Sequence, residues 1–274
     1  MIFYYLIIWC KICDIMIFRI YTIKVDKMNE KAAPLTTHLE DLRKVLIRSF
    51  IAIIVGTAIS YGLMLDWIME IVVGPVHRLG HELVFLAVTE GFFTQLKVAF
   101  FAGVIFASPI IIWQILRFVL PAMYSHEKRL FFPLLFFGVI LFSAGIVFGY
   151  IFVLELGLRI LLINFSGGLT PMISVSKYVS FVISFLLPFG LVFEIPLITF
   201  FLTRMGIVTP KYLRKNRRYV IFLMFVLAAV LSPGPDIVAQ LFLALPMVIL
   251  YELSIIISSV LYRRIQKQKE KEEI

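Results

Sequence analysis

A carboxylate stands inside an apolar run that is long enough to cross a bilayer. Glu194 lies in the segment P-F-G-L-V-F-E-I-P, residues 188–196. A charge at the centre of a spanning helix costs roughly 2.5–3.5 kcal/mol on insertion scales, so such a group faces a bundle interior or a wet cavity. Arg204 begins a basic run about 15 Å further along the helix, which places Glu194 near the midplane of a core about 30 Å thick. We expect Glu194 to line a functional polar patch; a structural tether between helices is the alternative.

A second group of acids lies on the side of the membrane that carries most of the Lys and Arg residues. Glu40 and Asp41 precede the first apolar run, and Glu127 lies in the loop after the second. Carboxylates beside aromatic residues and proline-ordered backbone can pair arginine guanidinium groups through two parallel hydrogen bonds. These acids are therefore candidates for binding a cationic ligand. The alternative is salt bridging to their basic neighbours, which are Arg43, Lys44, Lys128 and Arg129.

Patterns for other kinds of chemistry are weak in this sequence. It contains no nucleophile elbow, Walker loop, H-E-x-x-H motif or pair of intramembrane aspartates, so we expect neither an enzyme nor a cofactor. His77 and His81 have a possible metal spacing, but without a third ligand a solvated loop helix is favoured over a metal site. Cys10 and Cys13 form a C-x-x-C motif without the strand and helix of a thioredoxin unit, which argues against a redox role.

The composition requires that membrane-spanning helices position these groups. Of the 274 residues, 61% are hydrophobic and 16% are charged, and the mean hydropathy is +1.00, far outside the range of soluble domains. The apolar runs are long and continuous and do not alternate with a period of two, which favours helices over a barrel. The net charge of +9 comes from Lys and Arg between the apolar runs, so it reflects topology and predicts no nucleic-acid partner.

Six apolar runs predict an all-α integral membrane protein with six transmembrane helices. The fifth run has 13 residues and covers only about 20 Å, so we expect the last two spans to be short and to thin the bilayer or lean on neighbouring helices. Lys and Arg concentrate in the N-terminal segment, the second and fourth loops and the C-terminus, which places both termini in the cytoplasm. The runs are Val45–Leu65, Phe92–Leu116, Leu130–Leu154, Val175–Leu202, Tyr219–Leu231 and Ile237–Tyr262.

The two ends of the chain differ from the region between them. Residues 1–27 are apolar but interrupted by charges, and Met28 begins a segment typical of a cytosolic N-terminus. We interpret residues 1–27 as an extension from an upstream start codon, with an interfacial segment as the rival interpretation. Residues 28–262 form the predicted membrane domain, and residues 263–274 form a charged cytosolic tail.

Five motifs occur in order between about residue 35 and residue 262. They are T-H-L-E-D-L-R before span one, F-V-L-P-A-M-Y-S-H-E-K-R after span two, F-G-L-V-F-E-I-P in span four, L-R-K-N-R-R-Y-V before span five and S-P-G-P-D-x-x-x-Q at the last turn. In sequence and spacing they resemble the TatC family, the multi-span subunit of the twin-arginine protein translocase. The resemblance implies a concave, glove-like arrangement of six helices with short last spans in the cytoplasmic membrane.

The resemblance implies a receptor that binds the twin-arginine signal peptides of folded cargo and helps to assemble the translocation site, driven by the proton-motive force. The implied partners are single-span TatA-type and TatB-type subunits, the latter along span five, other copies of this chain and the lipid bilayer. The rival hypothesis is an ion-coupled small-molecule transporter that uses Glu194 as its proton site. That hypothesis predicts internal repeats, but spans one to three and four to six show no matched pair of broken segments.

The resemblance also implies a signal-peptide-binding surface on the cytosolic side. Glu127 matches a loop glutamate of the family. Asp41 stands where the family usually has glutamate and is one methylene shorter, so Glu40 is expected to share its role. The other matched positions of this surface are Arg43, Phe118, Pro121 and Tyr124.

Further positions match the family within the membrane and in the outer loops. Glu194 matches an intramembrane glutamate that is grouped with polar positions on spans five and six, here Ser232 and Gln240. Pro75 matches a proline of the first outer loop, and Asp236 matches an acid of the last. The turn at residues 232–236 is one residue longer than the commonest family form.

Overall fold

The computed structural model describes residues 35–119, 131–159, 162, 172–231 and 237–272. The chain divides into two units, residues 1–41 and residues 42–274. In the first unit the described residues, 35–41, are helical. All packing described below belongs to the second unit.

Helices account for nearly all of the described residues. In chain order they are α1 Leu35–Leu63, α2 Leu65–Arg78, α3 Glu90–Val119, α4 Phe131–Phe148, a π-helical segment Gly149–Leu154, α5 Glu155–Arg159, α6 Val175–Phe193, α7 Ile195–Arg204, α8 Pro210–Lys215, α9 Arg217–Leu231 and α10 Ile237–Glu272. Two short strands, β1 Leu83–Val84 and β2 Ile173–Ser174, pair in parallel with Leu83 opposite Ile173.

Five helical stretches in the described ranges are long and apolar enough to cross a membrane, which confirms the all-α membrane fold. α9 has 15 residues, or about 22 Å of helix, which is less than a hydrocarbon core of about 30 Å. The fifth predicted span is therefore short, as expected, and the count of six crossings stays a prediction that depends on α9. The five stretches are Glu40–Leu63, Glu90–Phe118, Phe132–Arg159, Val175–Arg204 and Leu243–Gln268.

The last helix corrects the predicted end of span six. α10 has 36 residues and continues beyond the predicted end at Tyr262 to Glu272. The residues after Tyr262 are mainly Arg, Lys, Gln and Glu, which are strong helix formers, so the helix continues into the charged segment. Pro246 lies inside this helix and does not end it.

Glycines set the closest approaches between helices. A Cβ atom on Gly56 of α1 would lie 2.7 Å from the carbonyl oxygen of Gly103 on α3, so the two backbones touch at this crossing. Gly145 of α4 meets α6 in the same way, since its Cβ would lie 2.6 Å from the carbonyl oxygen of Phe189. Away from its glycine crossing α1 packs loosely: 11% of its apolar window is buried, against 33–44% for the other four spans.

Candidate functional site

Glu194 lies at a break in the fourth crossing. α6 ends at Phe193 and α7 begins at Ile195, with Pro196 in its first turn. Proline is tolerated in the first turn of a helix, where its missing N–H is not needed, so the sequence favours a new helix start here. The Glu194 backbone stays near helical values, and its carbonyl accepts a hydrogen bond from the N–H of Ile198 at 2.9 Å. The helical backbone is therefore interrupted at a single residue, and that residue is Glu194.

The Glu194 carboxylate faces helices α3 and α4. A Cβ atom on Gly138 of α4 would lie 3.6 Å from Oε2 of Glu194 and 3.1 Å from the side chain of Ile112 on α3. The other carboxylate oxygen, Oε1, is buried and accepts no hydrogen bond from the described residues. Burying an unpaired polar oxygen is costly, so this arrangement suits a site that takes a donor from elsewhere.

Gln240, one of the two polar residues predicted to accompany Glu194, makes a hydrogen bond elsewhere. Nε2 of Gln240 on α10 donates to the carbonyl oxygen of Phe225 on α9 at 3.0 Å, so Gln240 joins the last two helices. Within the described ranges no hydrogen bond links Gln240 to Glu194. Ser232 lies outside the described residues, and the grouping of these three side chains stays a prediction.

A hydroxyl pair that we did not single out in the sequence joins α7 to α10. The side chains of Thr203 and Ser258 are buried and lie 2.7 Å apart, oxygen to oxygen. Thr199 and Ser254, each one helical turn earlier, are also buried. Hydroxyl residues four apart in two apolar runs are the sequence signal for such a contact, because they lie on one face of each helix. The contact between Thr203 and Ser258 therefore joins the end of α7 to α10.

Glu90, at the first residue of α3, was missed in the sequence and joins three elements on the side opposite the basic loops. Its Oε2 accepts hydrogen bonds from the backbone N–H groups of Leu86, at 2.6 Å, and Ala87, at 3.2 Å. Its Oε1 accepts from the N–H of Ser176, at 2.9 Å, and from the hydroxyl of Ser174. One carboxylate thus ties the loop after β1 and the start of α3 to the start of α6.

Pro75 lies inside α2, a helix within the predicted first outer loop, and is buried. A proline leaves the carbonyl four residues earlier without its helical donor, and here that carbonyl belongs to Ile71. Tyr150, in the π-helical segment, donates its hydroxyl to the Ile71 carbonyl at 2.7 Å. Tyr178 of α6 donates to the adjacent carbonyl of Val72 at 2.8 Å. Side chains from two spans therefore hold α2 in place. Asp236, the other predicted outer-loop residue, lies outside the described residues.

The structure describes part of the predicted cytosolic surface. In the first unit, Glu40 and Asp41 are exposed on α1. In the second unit, Arg43 is exposed and Phe118 is half-buried at the end of α3. The remaining predicted residues of this surface, Pro121, Tyr124 and Glu127, lie outside the described residues.

The long apolar helices and the polar groups buried between them define a multi-pass α-helical membrane protein. The family model "TatC: Sec-independent protein translocase protein (TatC)" matches residues 37–246. The chain belongs to the TatC family and is a protein-translocase component of the cytoplasmic membrane. The match confirms the family resemblance and the membrane location. Membership of a translocase family argues against the small-molecule transporter hypothesis.

Curated relatives and solved structures agree with this assignment. The chain is 46% identical over 232 residues to TatC of Carboxydothermus hydrogenoformans, covering 84% of this chain and 95% of that protein. It is 36% identical over 232 residues to TatC of Escherichia coli (strain K12), covering 84% and 89%. A crystal structure of the twin-arginine translocase receptor TatC is 39% identical, covers 82% of this chain and 99% of its own, and superposes with a TM-score of 0.76.

Proposed function

We propose that this chain is the receptor of its translocase and binds the twin-arginine signal peptides of folded cargo on the cytosolic side. The observation that carries the proposal is the likeness to the crystal structure of the twin-arginine translocase receptor, at 39% identity over 82% of the chain. The relatives are components of the Sec-independent translocase. Transport by this chain would then begin with recognition of a peptide.

The chemistry of the acidic residues supports recognition of arginine. Glu40 and Asp41 are exposed on α1, on the side where Lys and Arg predominate, and Glu127 adds a third acid in the loop after α3. Carboxylates in this position attract a cationic peptide, and a guanidinium group can bind a carboxylate through two parallel hydrogen bonds, as an ammonium group cannot. We assign Arg43, Phe118, Pro121 and Tyr124 to the same binding surface.

The surroundings of Glu194 support a second role, in docking single-span TatA-type and TatB-type subunits. Its Oε1 is buried without a hydrogen bond from the described residues. Gly138, which has no side chain, lies beside the carboxylate. A polar side chain on a partner helix would supply the missing donor, and such a contact between membrane helices contributes roughly 0.6–2 kcal/mol. We assign Ser232 and Gln240 to the same intramembrane patch, and we place the TatB-type subunit along α9.

Crosslinking of a signal peptide tests the receptor proposal. A twin-arginine peptide with a photoreactive residue next to its Arg-Arg pair is crosslinked to the chain in membranes. We expect Glu127→Ala, or a Lys-Lys peptide, to reduce the crosslink strongly, because one charge-assisted hydrogen bond is worth about 1.5–3 kcal/mol, or roughly ten- to a hundredfold in affinity. The matched control is Glu82→Ala, which removes an exposed acid from the predicted opposite side. A crosslink that is unchanged in both tests contradicts the proposal.

An uncoupler separates recognition from the driving force. We propose that the proton-motive force drives transport but not peptide binding. Collapsing the gradient in inverted membrane vesicles should therefore stop protection of a folded cargo from protease while the peptide crosslink persists. Transport that continues at its normal rate without a gradient would refute the proposed energy source and leave the receptor role intact.

A further inference from the structure

Lys97 lies on an exposed face of α3 close to the side opposite the basic loops, called here the outer side. It follows the first residue of α3 by seven positions, or about 10 Å of helix. The Cα–Cβ bonds of a helix tilt toward its N-terminus, so the long side chain extends outward. Its Nζ donates to the hydroxyls of Ser176, at 3.1 Å, and Ser180, at 3.0 Å, both within the first two turns of α6. The ammonium group therefore lies at the level where α6 begins.

The positive charge of Lys97 is not neutralised by a carboxylate within the described ranges. Its hydrogen bonds there go to the two serine hydroxyls. Glu90 lies on the same face of α3, but its oxygens accept hydrogen bonds from the N–H groups of Leu86, Ala87 and Ser176. Arg159, another cation near the outer side, does have an ion pair, to Glu155 at 3.0 Å. Lys97 therefore has the charge and the depth to meet a lipid phosphate.

Apolar side chains flank Lys97 on the same face of α3. Phe93, Leu96 and Phe100 are 54%, 43% and 52% exposed. Together with Lys97 they occupy positions i, i+3, i+4 and i+7 of a helix, which form one continuous stripe. Because the Lys97 side chain extends outward, its ammonium group lies at the outer part of the stripe, and Leu96 and Phe100 leave an apolar surface below it. This arrangement matches the headgroup and acyl chain of a phospholipid.

We propose that Lys97, with Ser176 and Ser180, binds the phosphate group of an outer-leaflet phospholipid. One acyl chain of this lipid lies along Leu96 and Phe100. An ammonium group has three donors, of which two go to the serines, so the third reaches a phosphate oxygen. The serine hydroxyls accept from Lys97 and keep their own hydrogens for the same phosphate. The site is independent of signal-peptide recognition, because it lies on the other side of the membrane and uses none of the receptor residues.

Native mass spectrometry of the full chain in detergent tests the site. The protein is titrated with phosphatidylglycerol, and the affinity for the first lipid is measured for the native chain, Lys97→Gln and Lys97→Arg. A basic residue near a lipid headgroup contributes about 1 kcal/mol, so we expect Lys97→Gln to bind about fivefold more weakly. Lys97→Arg should stay near the native affinity. The matched control is Arg159→Gln, which makes the same change in net charge near the same side at a cation that is already paired.

Two further ligands separate the lipid from free phosphate. Diacylglycerol with the same chains but no phosphate should bind native and Lys97→Gln protein equally. Glycerol phosphate, which lacks the chains, should not displace the bound lipid. Its effective displacement of the lipid would overturn the proposal of a lipid site in favour of a plain phosphate site.

Equal affinity of the native chain and Lys97→Gln for phosphatidylglycerol overturns the site. An equal loss in Arg159→Gln also overturns it, because net charge alone would then explain the result. Should Lys97→Gln fail to fold, Ser180→Ala keeps the lysine and removes one of its hydroxyl partners. This variant should bind the lipid more weakly than the native chain, and native affinity there counts against the proposal.

Discussion

The contact between Pro75 and Tyr150 can be tested by a double-mutant cycle. Pro75 cannot donate to the carbonyl of Ile71, and the Tyr150 hydroxyl donates to that carbonyl at 2.7 Å. Tyr150→Phe leaves the carbonyl without this donor. A hydrogen bond of this type contributes about 0.5–1.5 kcal/mol to the free energy of unfolding, so the variant should be less stable by that amount. Pro75→Ala restores the backbone N–H, and with it the helical donor to Ile71.

We therefore expect Tyr150→Phe to cost clearly less in the Pro75→Ala background than in the native chain, because the Ile71 carbonyl then keeps its helical donor. The cycle subtracts the packing lost with the buried proline ring, because that loss is common to both backgrounds. Tyr178→Phe is the control. It removes the hydroxyl bonded to Val72 at 2.8 Å, but the carbonyl of Val72 faces the N–H of Val76 within α2 and does not depend on Pro75. Its cost, about 0.5–1.5 kcal/mol, should be the same in both backgrounds.

The assay is equilibrium unfolding of the detergent-solubilised chain by SDS, followed by circular dichroism and by tryptophan fluorescence. Trp67 lies in α2, so in a chain whose Trp9 and Trp113 are replaced by phenylalanine the emission reports on the helix that the two tyrosines hold. A cost of Tyr150→Phe that stays the same in the Pro75→Ala background would refute the argument that Tyr150 replaces the missing donor. An equal change for Tyr178→Phe would show that Pro75→Ala disturbs α2 as a whole.

Three further perturbations test other contacts. Gly56→Ala should lower the SDS midpoint of unfolding, because its Cβ would lie 2.7 Å from the Gly103 carbonyl oxygen. The control is Gly62→Ala, whose Cβ meets nothing within 4 Å. This variant should leave the midpoint unchanged or raise it, since alanine is favoured over glycine in helices by about 1 kcal/mol. Thr203→Val and Ser258→Ala should show a coupling of roughly 0.6–1.7 kcal/mol in a double-mutant cycle in the same assay, and additive costs would show that the 2.7 Å contact contributes little. Glu194→Ala should leave the signal-peptide crosslink nearly intact while impairing cargo transport into inverted vesicles; an equal loss of both would reject the separation of recognition from assembly.

Most of the fold is predictable from the sequence because apolar length and charge placement determine where helices cross a bilayer. The five long spans overlap the predicted apolar runs, and the short α9 follows from a run of 13 residues. The extension of α10 was missed because the charged tail was interpreted by its solubility, whereas its residue types favour helix. Charge distribution predicts on which side of the membrane a segment lies, but it does not predict the backbone conformation of that segment.

The contacts of the sites were less predictable, because they depend on partners far away in the sequence. The position of Glu90 at a helix start is visible, but Ser174 and Ser176 are separated from it by 84 and 86 residues. Nothing in the sequence distinguishes Gly138 from other glycines of apolar helices, and only the structure shows that it lies beside Glu194. The π-helical turn that carries Tyr150 has no distinct composition in the run G-Y-I-F-V-L. Periodicity indicates which face of a helix is buried, and the tertiary packing decides what that face meets.

Hydrogen bonding is distributed unevenly across this membrane protein. On the outer side, Glu90, Tyr150 and Tyr178 satisfy backbone groups of the first outer loop and α2 and bind them to the spans. Within the membrane, Oε1 of Glu194 is buried without a donor from the described residues, and α1 is the least buried of the five long spans. A donor supplied by a partner helix would bring a larger gain at Glu194 than at a satisfied group, because the cost of burying the oxygen is already present before binding. The proposed docking of a partner helix would therefore gain from an oxygen that the described residues leave unsatisfied, whereas the outer-side groups named above already have their hydrogen-bond partners.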